Sequence, residues 1–299
     1  MKLIVGTQEM RIDKYIAGKL SKYSRGYFQK LIKSGGVTVN RREVSSHYIT
    51  KEADEIELDL REVERPSVEA QDIRLEILFE DDDVLVLNKE PGIVVHPACG
   101  HHDGTLLNAL YGHAKGSFSP LLVHRLDKDT SGVLVVAKNE RAKKSLAKQF
   151  QNRTIKKVYL AAVKGRIGEE KGRIEAPLGR APGDRQKIVV GPAAKKAGIT
   201  EFKVLKRHPE FTAIEVYPLT GRTHQIRSHM VYIGHPVLGD KTYGGLEKIG
   251  DRVFSRQMLH ARRISFTHPA TGRRVEFEAP VPRDMKGLFD EEPKGKNAK

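Results

Sequence analysis

The sequence predicts an α+β protein in two parts, and three observations carry this. The first sixty residues hold two short helical patterns that lead into short alternating strands. The remainder intersperses strand-like and helical stretches without a strict βαβ rhythm, so a mixed α+β arrangement fits better than a doubly wound sheet. The chain has 299 residues, which suits about two domains of roughly 100–200 residues each.

The first part is strongly basic. Residues 1–51 carry eleven Lys and Arg against three acidic residues, Glu9, Asp13 and Glu43, a net of +8. A helix is expected from about Asp13 to Leu20, because Ile12, Ile16 and Leu20 recur every four residues. A second follows Ser24, a good N-cap residue. Its apolar face is Phe28, Leu31 and Ile32, and Gly35-Gly36 ends it. Val37 and Val39 alternate into the turn signal Asn40-Arg41-Arg42, and Ile56, Leu58 and Leu60 alternate again. Arg11, Lys14, Lys22, Arg25, Lys30, Lys33 and Arg41 decorate the polar side as candidate contacts to an anionic partner.

The polar stretch Arg61–Asp72 reads as a linker, so a first domain over 1–66 and a second over 71–285 are expected. In the second, Val84–Leu87, Gly132–Ala137, Ile188–Val190, Thr200–Leu205, Phe211–Tyr217 and Val275–Phe277 are strand-like. Helical patterns fall at Thr105–Tyr111, Asn139–Gln151 and Thr223–Ile233, with Thr223 the expected N-cap of the last. Residues 291–299 (EEPKGKNAK) read as a disordered tail.

Composition excludes several classes. The single cysteine, Cys99, rules out an intramolecular disulfide framework and any multi-cysteine metal site. His96, His101, His102 and His113 lack the spacing of a metal motif, so no metal is expected. No apolar run approaches the ~18 residues of a membrane helix, and the apolar start is too short for a secretory segment. The expected compartment is the cytoplasm, with no membrane partner and a monomer as the default. Lys and Arg total 53 against 38 Asp and Glu, a net charge of +15, which calls for an anionic partner, nucleic acid foremost.

The densest polar segment is His124-Arg125-Leu126-Asp127-Lys128-Asp129-Thr130-Ser131-Gly132, just before the apolar run Val133–Ala137. A calcium loop fails where Lys138 stands at the twelfth position in place of a bidentate glutamate. A plain polar turn and a catalytic carboxylate at the mouth of a sheet both remain. A carboxylate in a closed site is costly unless paired. A candidate partner lies in Thr220-Gly221-Arg222-Thr223-His224-Gln225-Ile226-Arg227, where a helix would present the Arg227 guanidinium.

Two resemblances narrow the choice. Arg11-Ile12-Asp13, Ser24-Arg25 and Val37-x-Val39-Asn40 resemble the S4-type RNA-binding module. HRLDKDTSG is similar to the central motif of the RluA-type pseudouridine synthases of large-subunit ribosomal RNA. Further motifs follow in that family's order: Val86–Lys89 with Gly92, Val94, Val95, His96 and Pro97, then Asp103–Leu110, Lys157-Val158-Tyr159, GRTHQIR with Gly239-Asp240 and Tyr243-Gly244, and Leu259-His260-Ala261 with His268-Pro269. The match covers roughly residues 71–282. Lys89-Glu90-Pro91-Gly92 departs slightly from the usual Lys-Pro-x-Gly.

The resemblance implies a mixed, largely antiparallel sheet with a central cleft. It implies an isomerase that detaches uracil from its glycosidic nitrogen and rejoins it to the ribose through a ring carbon, without metal, nucleotide or redox cofactor. Asp127 matches the catalytic aspartate, Tyr159 the tyrosine that stacks on the base, and Arg227 the arginine paired with the aspartate. Arg125 matches the arginine that fills the gap left by the extruded base. His124, Arg222 and His224 read as supporting residues, Arg222 with RNA contact. Attack on the sugar, attack on the base and proton removal all remain open to Asp127. The S4-type module favours ribosomal RNA, free or in a precursor particle, over transfer RNA. The alternative is a non-catalytic RNA-binding or ribosome-assembly factor on the same fold.

Overall fold

A computed structural model of the chain describes residues 1–7, 9–20, 23–60, 68–97, 103–191 and 196–289. Lys22, Cys99, His101, His102, most of the expected linker and the expected disordered tail lie outside them. The chain divides into two compact units, Met1–Ser67 and Val68–Lys299.

In the first unit, β1 (Lys2–Ile4), α1 (Ile12–Lys19), α2 (Arg25–Lys33), β2 (Val37–Val39), β3 (Arg42–Glu43) and β4 (Glu55–Leu58) follow in order. The strands form a sheet in the order β1-β4-β2-β3. Ser24 caps α2, its Oγ accepting from the Tyr27 N–H at 3.2 Å. Asn40 and Arg41 both have positive φ, 49° and 65°, so they make a two-residue turn whose twist suits the β2–β3 hairpin. Ile12, Ile16, Phe28, Leu31, Val37, Val39, Ile56 and Leu58 form the core, as the periodicities require. Each contributes roughly 1.5–3 kcal/mol by leaving water.

Charge is divided unevenly over this unit. Asp13 is fully buried. It accepts from Arg11 Nε at 3.1 Å and Nη2 at 2.9 Å, from Arg25 Nε at 3.0 Å and Nη2 at 2.9 Å, and from Gln29. Two of the expected RNA-binding arginines therefore serve the fold. Lys14, Lys30, Lys33 and Arg41 are exposed.

The second unit contains β5 (Glu76–Glu80), β6 (Val84–Lys89), α3 (Leu106–Ala114), β7 (Leu121–Leu122), β8 (Ser131–Ala137), α4 (Glu140–Gln151), β9 (Lys156–Lys164), β10 (Lys171–Ala181), β11 (Asp184–Val190), β12 (Lys196–Arg207), β13 (Phe211–Pro218), α5 (Gln225–Tyr232), β14 (Lys248–Ile249), β15 (Arg252–Val253), β16 (Leu259–Thr267) and β17 (Arg274–Glu278). Eleven of these strands form one mixed, largely antiparallel sheet, with main path β11-β10-β12-β13-β9-β16-β8-β6-β5. Among the described residues its one parallel pairing is β16 with β8, at its centre. There Gly132, with φ +115°, lies so close to Ala261 that a Cβ would sit 2.2 Å from that carbonyl oxygen. Only glycine lets the two strands meet.

The apolar runs of β6 and β8 follow from burial of both faces. Val84, Val86, Val133 and Val135 pack with Leu146 of α4, and Leu85, Leu87, Leu134 and Val136 pack with Leu106 and Leu110 of α3. Thr105 and Asn139 cap these helices through the Asn108 and Ala142 N–H groups. One boundary differs from expectation. The last helix begins at Gln225, and its N-cap is His224, not Thr223. The Gln225 side chain explains this. Its Oε1 accepts from Thr220 Oγ1 at 2.6 Å and from the Arg222 N–H at 3.0 Å. These bonds hold residues 220–224 as a tight loop that no helix can occupy. No helix among the described residues is long and apolar enough to cross a membrane.

Burial alone would raise the Asp13 pKa, but the hydrogen bonds from Arg11, Gln29 and Arg25 hold it far below the usual carboxylate range. Asp13→Ala should destabilise the first unit by about 2–3 kcal/mol, a value reduced for the half-exposed arginines. Hydrogen-exchange protection of residues 12–32 measures it. A depressed folded pKa stabilises above the unfolded carboxylate value, about 3.9. The wild-type advantage over Asp13→Ala should thus persist at neutral pH and shrink only as pH falls below about 4.

Candidate active site

Asp127 sits in the loop that enters β8, and the residues after it are fixed one by one. Lys89 Nζ donates to the Lys128 carbonyl at 2.8 Å, and the Gly92 N–H to the same oxygen at 3.0 Å. Arg256 Nη1 donates to the Asp129 carbonyl at 3.0 Å. Gln257 Nε2 donates to Thr130 Oγ1 at 2.9 Å, and Ser131 Oγ meets His260 Nδ1 at 3.0 Å. The Thr130 N–H closes the turn on the Asp127 carbonyl at 3.2 Å. Lys128 and Asp129 are turn residues, as their types suggest. Lys89 is itself buried and donates also to the Glu90 and Ile93 carbonyls. Burial pushes its pKa down to about 8, against the pull of Asp129 and Asp127.

Arg227 reaches this loop from α5. Ile226 and Met230, four apart, anchor the helix in the core beside Ile174, Phe202 and Ile214. The Arg227 guanidinium is forked. Nε donates to Asp240 Oδ2 at 2.6 Å and Nη2 to Asp240 Oδ1 at 2.9 Å, while Nη1 donates to Asp127 Oδ2 at 3.1 Å. The Tyr243 ring lies 4.9 Å from the guanidinium carbon. Side-chain exposure is 6% for Arg227, 1% for Asp240 and 19% for Asp127. Burial works against the charge on Arg227, but Asp240 and then Asp127 raise its pKa above the ordinary guanidinium value. Asp127 Oδ1 accepts no hydrogen bond among the described residues, so one carboxylate oxygen stays open.

Tyr159, on β9, pairs with Ala261 of β16 and Val216 of β13 at the middle of the sheet. It is half-buried, and no hydrogen bond reaches its hydroxyl among the described residues. Burial, with the charge of Asp127 acting in the same direction, pushes its pKa up, so it stays a neutral phenol. Asp127, Tyr159, Arg227, His124, His224 and Lys157 border one cavity of about 530 Å³, within the range of small-ligand sites. Arg125 and Arg222 line it too, both exposed. His124 accepts the Val135 N–H at 2.9 Å, and burial, then the charge of Lys157, pushes its pKa down to about 3. His224 Nε2 is 3.9 Å from Asp127 Oδ2, and its Nδ1 is 2.9 Å from the Tyr243 hydroxyl. Burial lowers its pKa despite Asp127, so the ring is neutral at pH 7.

The two long segments singled out in the sequence thus meet in one cleft. His96 contacts the Pro97 carbonyl and His113 pairs with Glu80. No group of three metal-ligating side chains occurs among the described residues.

Residues 83–232 match the family described as RNA pseudouridylate synthase, and residues 10–56 match the S4 domain. The first match spans half of the chain. The chain belongs to the RNA pseudouridine synthase family. It is 46% identical over 286 residues to an uncharacterised RNA pseudouridine synthase of Bacillus subtilis, covering 94% of this chain and 93% of the relative. It is 42% identical over 292 residues to ribosomal large subunit pseudouridine synthase D of Pseudomonas aeruginosa, covering 93% and 91%. Among solved structures, human RNA pseudouridylate synthase domain containing 1 is similar at 33% identity and a TM-score of 0.58, covering 73% of this chain and 86% of that one. The protein is accordingly an RNA-modifying isomerase with RNA as its substrate.

Sequence reasoning assigned no role to Asp240, Lys89 or Lys157. All three stand inside quoted motifs, but no spacing rule tied them to Asp127. Asp240→Asn keeps the volume and removes the charge that aims Arg227. Turnover should fall about 100-fold, the usual cost of a misplaced group near the chemistry, with RNA affinity within a few-fold of wild type. Single-turnover kinetics beside a binding titration measure both.

Proposed function

We propose that this enzyme converts specific uridines of large-subunit ribosomal RNA to pseudouridine, with Asp127 as the catalytic residue and no cofactor. The observation that carries the reading is the carboxylate of Asp127 at the cleft, one oxygen on the buried Arg227 at 3.1 Å and the other free. An anion held this way can attack or take a proton without rearranging water first. The reaction is balanced within the substrate. The bond from ribose to the uracil nitrogen breaks, the base turns, and a ring carbon bonds to the ribose. That carbon gives up its hydrogen as a proton to a base and thence to solvent, and the freed ring nitrogen takes up a proton, so product and substrate are isomers.

Tyr159 supplies the aromatic face for the unstacked base, worth about 1–3 kcal/mol. Its phenol is neutral at pH 7, and burial pushes its pKa further up. Extrusion of the base costs a few kcal/mol, and Arg125, exposed at the cleft, fills the gap it leaves. Arg222 contacts the RNA backbone. The name of the Pseudomonas aeruginosa relative, and the S4 domain, support ribosomal RNA over transfer RNA. In this reading residues 1–66 grip structured RNA and residues 71–285 carry the chemistry. Lys14, Lys30, Lys33 and Arg41 supply the phosphate contacts, and Arg11 and Arg25 act mainly through Asp13. The enzyme works in the cytoplasm as a monomer, on ribosomal RNA or a precursor particle.

The test is release of tritium from ribosomal RNA labelled on the uracil ring. Wild type should release it, and Asp127→Asn should lose at least about 10³-fold in rate while binding RNA within a few-fold of wild type. Equal release by both proteins would remove Asp127 from its role. Binding without release by wild type would leave a non-catalytic RNA-binding protein.

A further inference from the structure

The cleft contains a cation that the reaction above does not use. Lys157 and Tyr159 are two apart on β9, so their side chains leave the same face of the strand. Both line the cavity that holds Asp127. Lys157 is half-buried, and its Nζ has one hydrogen-bond acceptor among the described residues, the Thr220 carbonyl at 3.4 Å. That is a long contact for an ammonium. No carboxylate lies within ion-pair distance of it among those residues.

The other buried cations of this unit are treated differently. Lys89 fills all three of its donors with carbonyls at 2.7, 2.8 and 3.0 Å. Arg227 is shared between two carboxylates. Arg256 is paired with Asp284 at 2.6 and 2.9 Å. Among the described residues Lys157 has the Thr220 carbonyl as its one acceptor, and burial pushes its pKa down to about 8. His124 beside it is neutral and relieves nothing. A charged group kept half-buried without an anion is a site prepared for one. Uracil is neutral, whereas RNA brings one ionised phosphate per nucleotide.

We propose that Lys157 binds a backbone phosphate next to the uridine that enters the cleft, and so sets how far that nucleotide is drawn toward Asp127. This rests on the reading that RNA enters the cleft for isomerisation. A point charge on a flexible stem suits a phosphate.

The test is a double-mutant cycle between protein and RNA. Short substrate RNAs are made with one phosphate at a time, around the target uridine, replaced by a neutral methylphosphonate. On unmodified RNA, Lys157→Met should weaken binding about tenfold to a hundredfold, and Lys157→Arg should restore most of it. One neutral linkage should weaken wild type by a similar factor and leave Lys157→Met unchanged. If every linkage weakens Lys157→Met as much as wild type, the residue binds no phosphate and the proposal fails. The wild-type series decides independently of whether that variant folds. If no linkage beside the target uridine costs more than about threefold, the proposal fails as well. Tritium release by wild type from full ribosomal RNA runs alongside. Its absence refutes the enzymatic reading, whereas release with additive losses refutes only the role of Lys157.

Discussion

One guanidinium held between two carboxylates organises this molecule. Arg227 gives two donors to Asp240, which is almost wholly buried, and a third to Asp127 at the cleft. A buried arginine facing Asp127 alone would be free to swing, and its desolvation would be poorly matched. The bidentate pair with Asp240 fixes the plane of the fork, so the remaining N–H can point in one direction only. With one positive and two negative charges, the group as a whole stays anionic. Of the two carboxylates, Asp127 is the one open to the cleft and Asp240 is enclosed.

Much of the fold serves that juxtaposition. Residue 127 leads into β8 and residue 227 lies on α5, which packs on β10 to β13, so they are carried by opposite halves of the sheet, which join where β16 meets β8. Gly132 permits that approach, and the side chains of Lys89, Arg256, Gln257 and His260 fix the residues after Asp127. On the other side, Ile226 and Met230 seat α5 in the core, and Gln225 ties the preceding loop to β12 through the Ile199 carbonyl and Thr200. The proposed catalytic carboxylate is thus followed by four successive residues held by hydrogen bonds, as electrostatic preorganisation requires.

The helices and most strands were legible because their patterns are local. Ser24 caps α2 and Phe28, Leu31 and Ile32 face the core, as a period of 3.6 demands. Thr223 misled because an intrinsic N-cap preference is weaker than the four hydrogen bonds of the Gln225 side chain. Arg11 and Arg25 look like surface cations in sequence, and only the burial of Asp13 shows otherwise. The parallel contact of β8 with β16 joins segments about 130 residues apart and leaves no periodic trace. The pairing of Asp127 with Arg227 is suggested by the need of a closed-site carboxylate for a cation, and the motif resemblance then selects this one. Asp240 and Lys157 escaped notice because what distinguishes them is an oppositely charged partner in space, present for one and, among the described residues, absent for the other.

The most direct measurement is a crystal structure of full-length Asp127→Asn bound to a ribosomal RNA fragment containing the modified uridine. One uridine should stand out of its helix, its ring against Tyr159 and its ribose beside residue 127, with Arg227 still on Asp240. A fragment bound with all bases stacked and the cleft empty of nucleotide would contradict this arrangement.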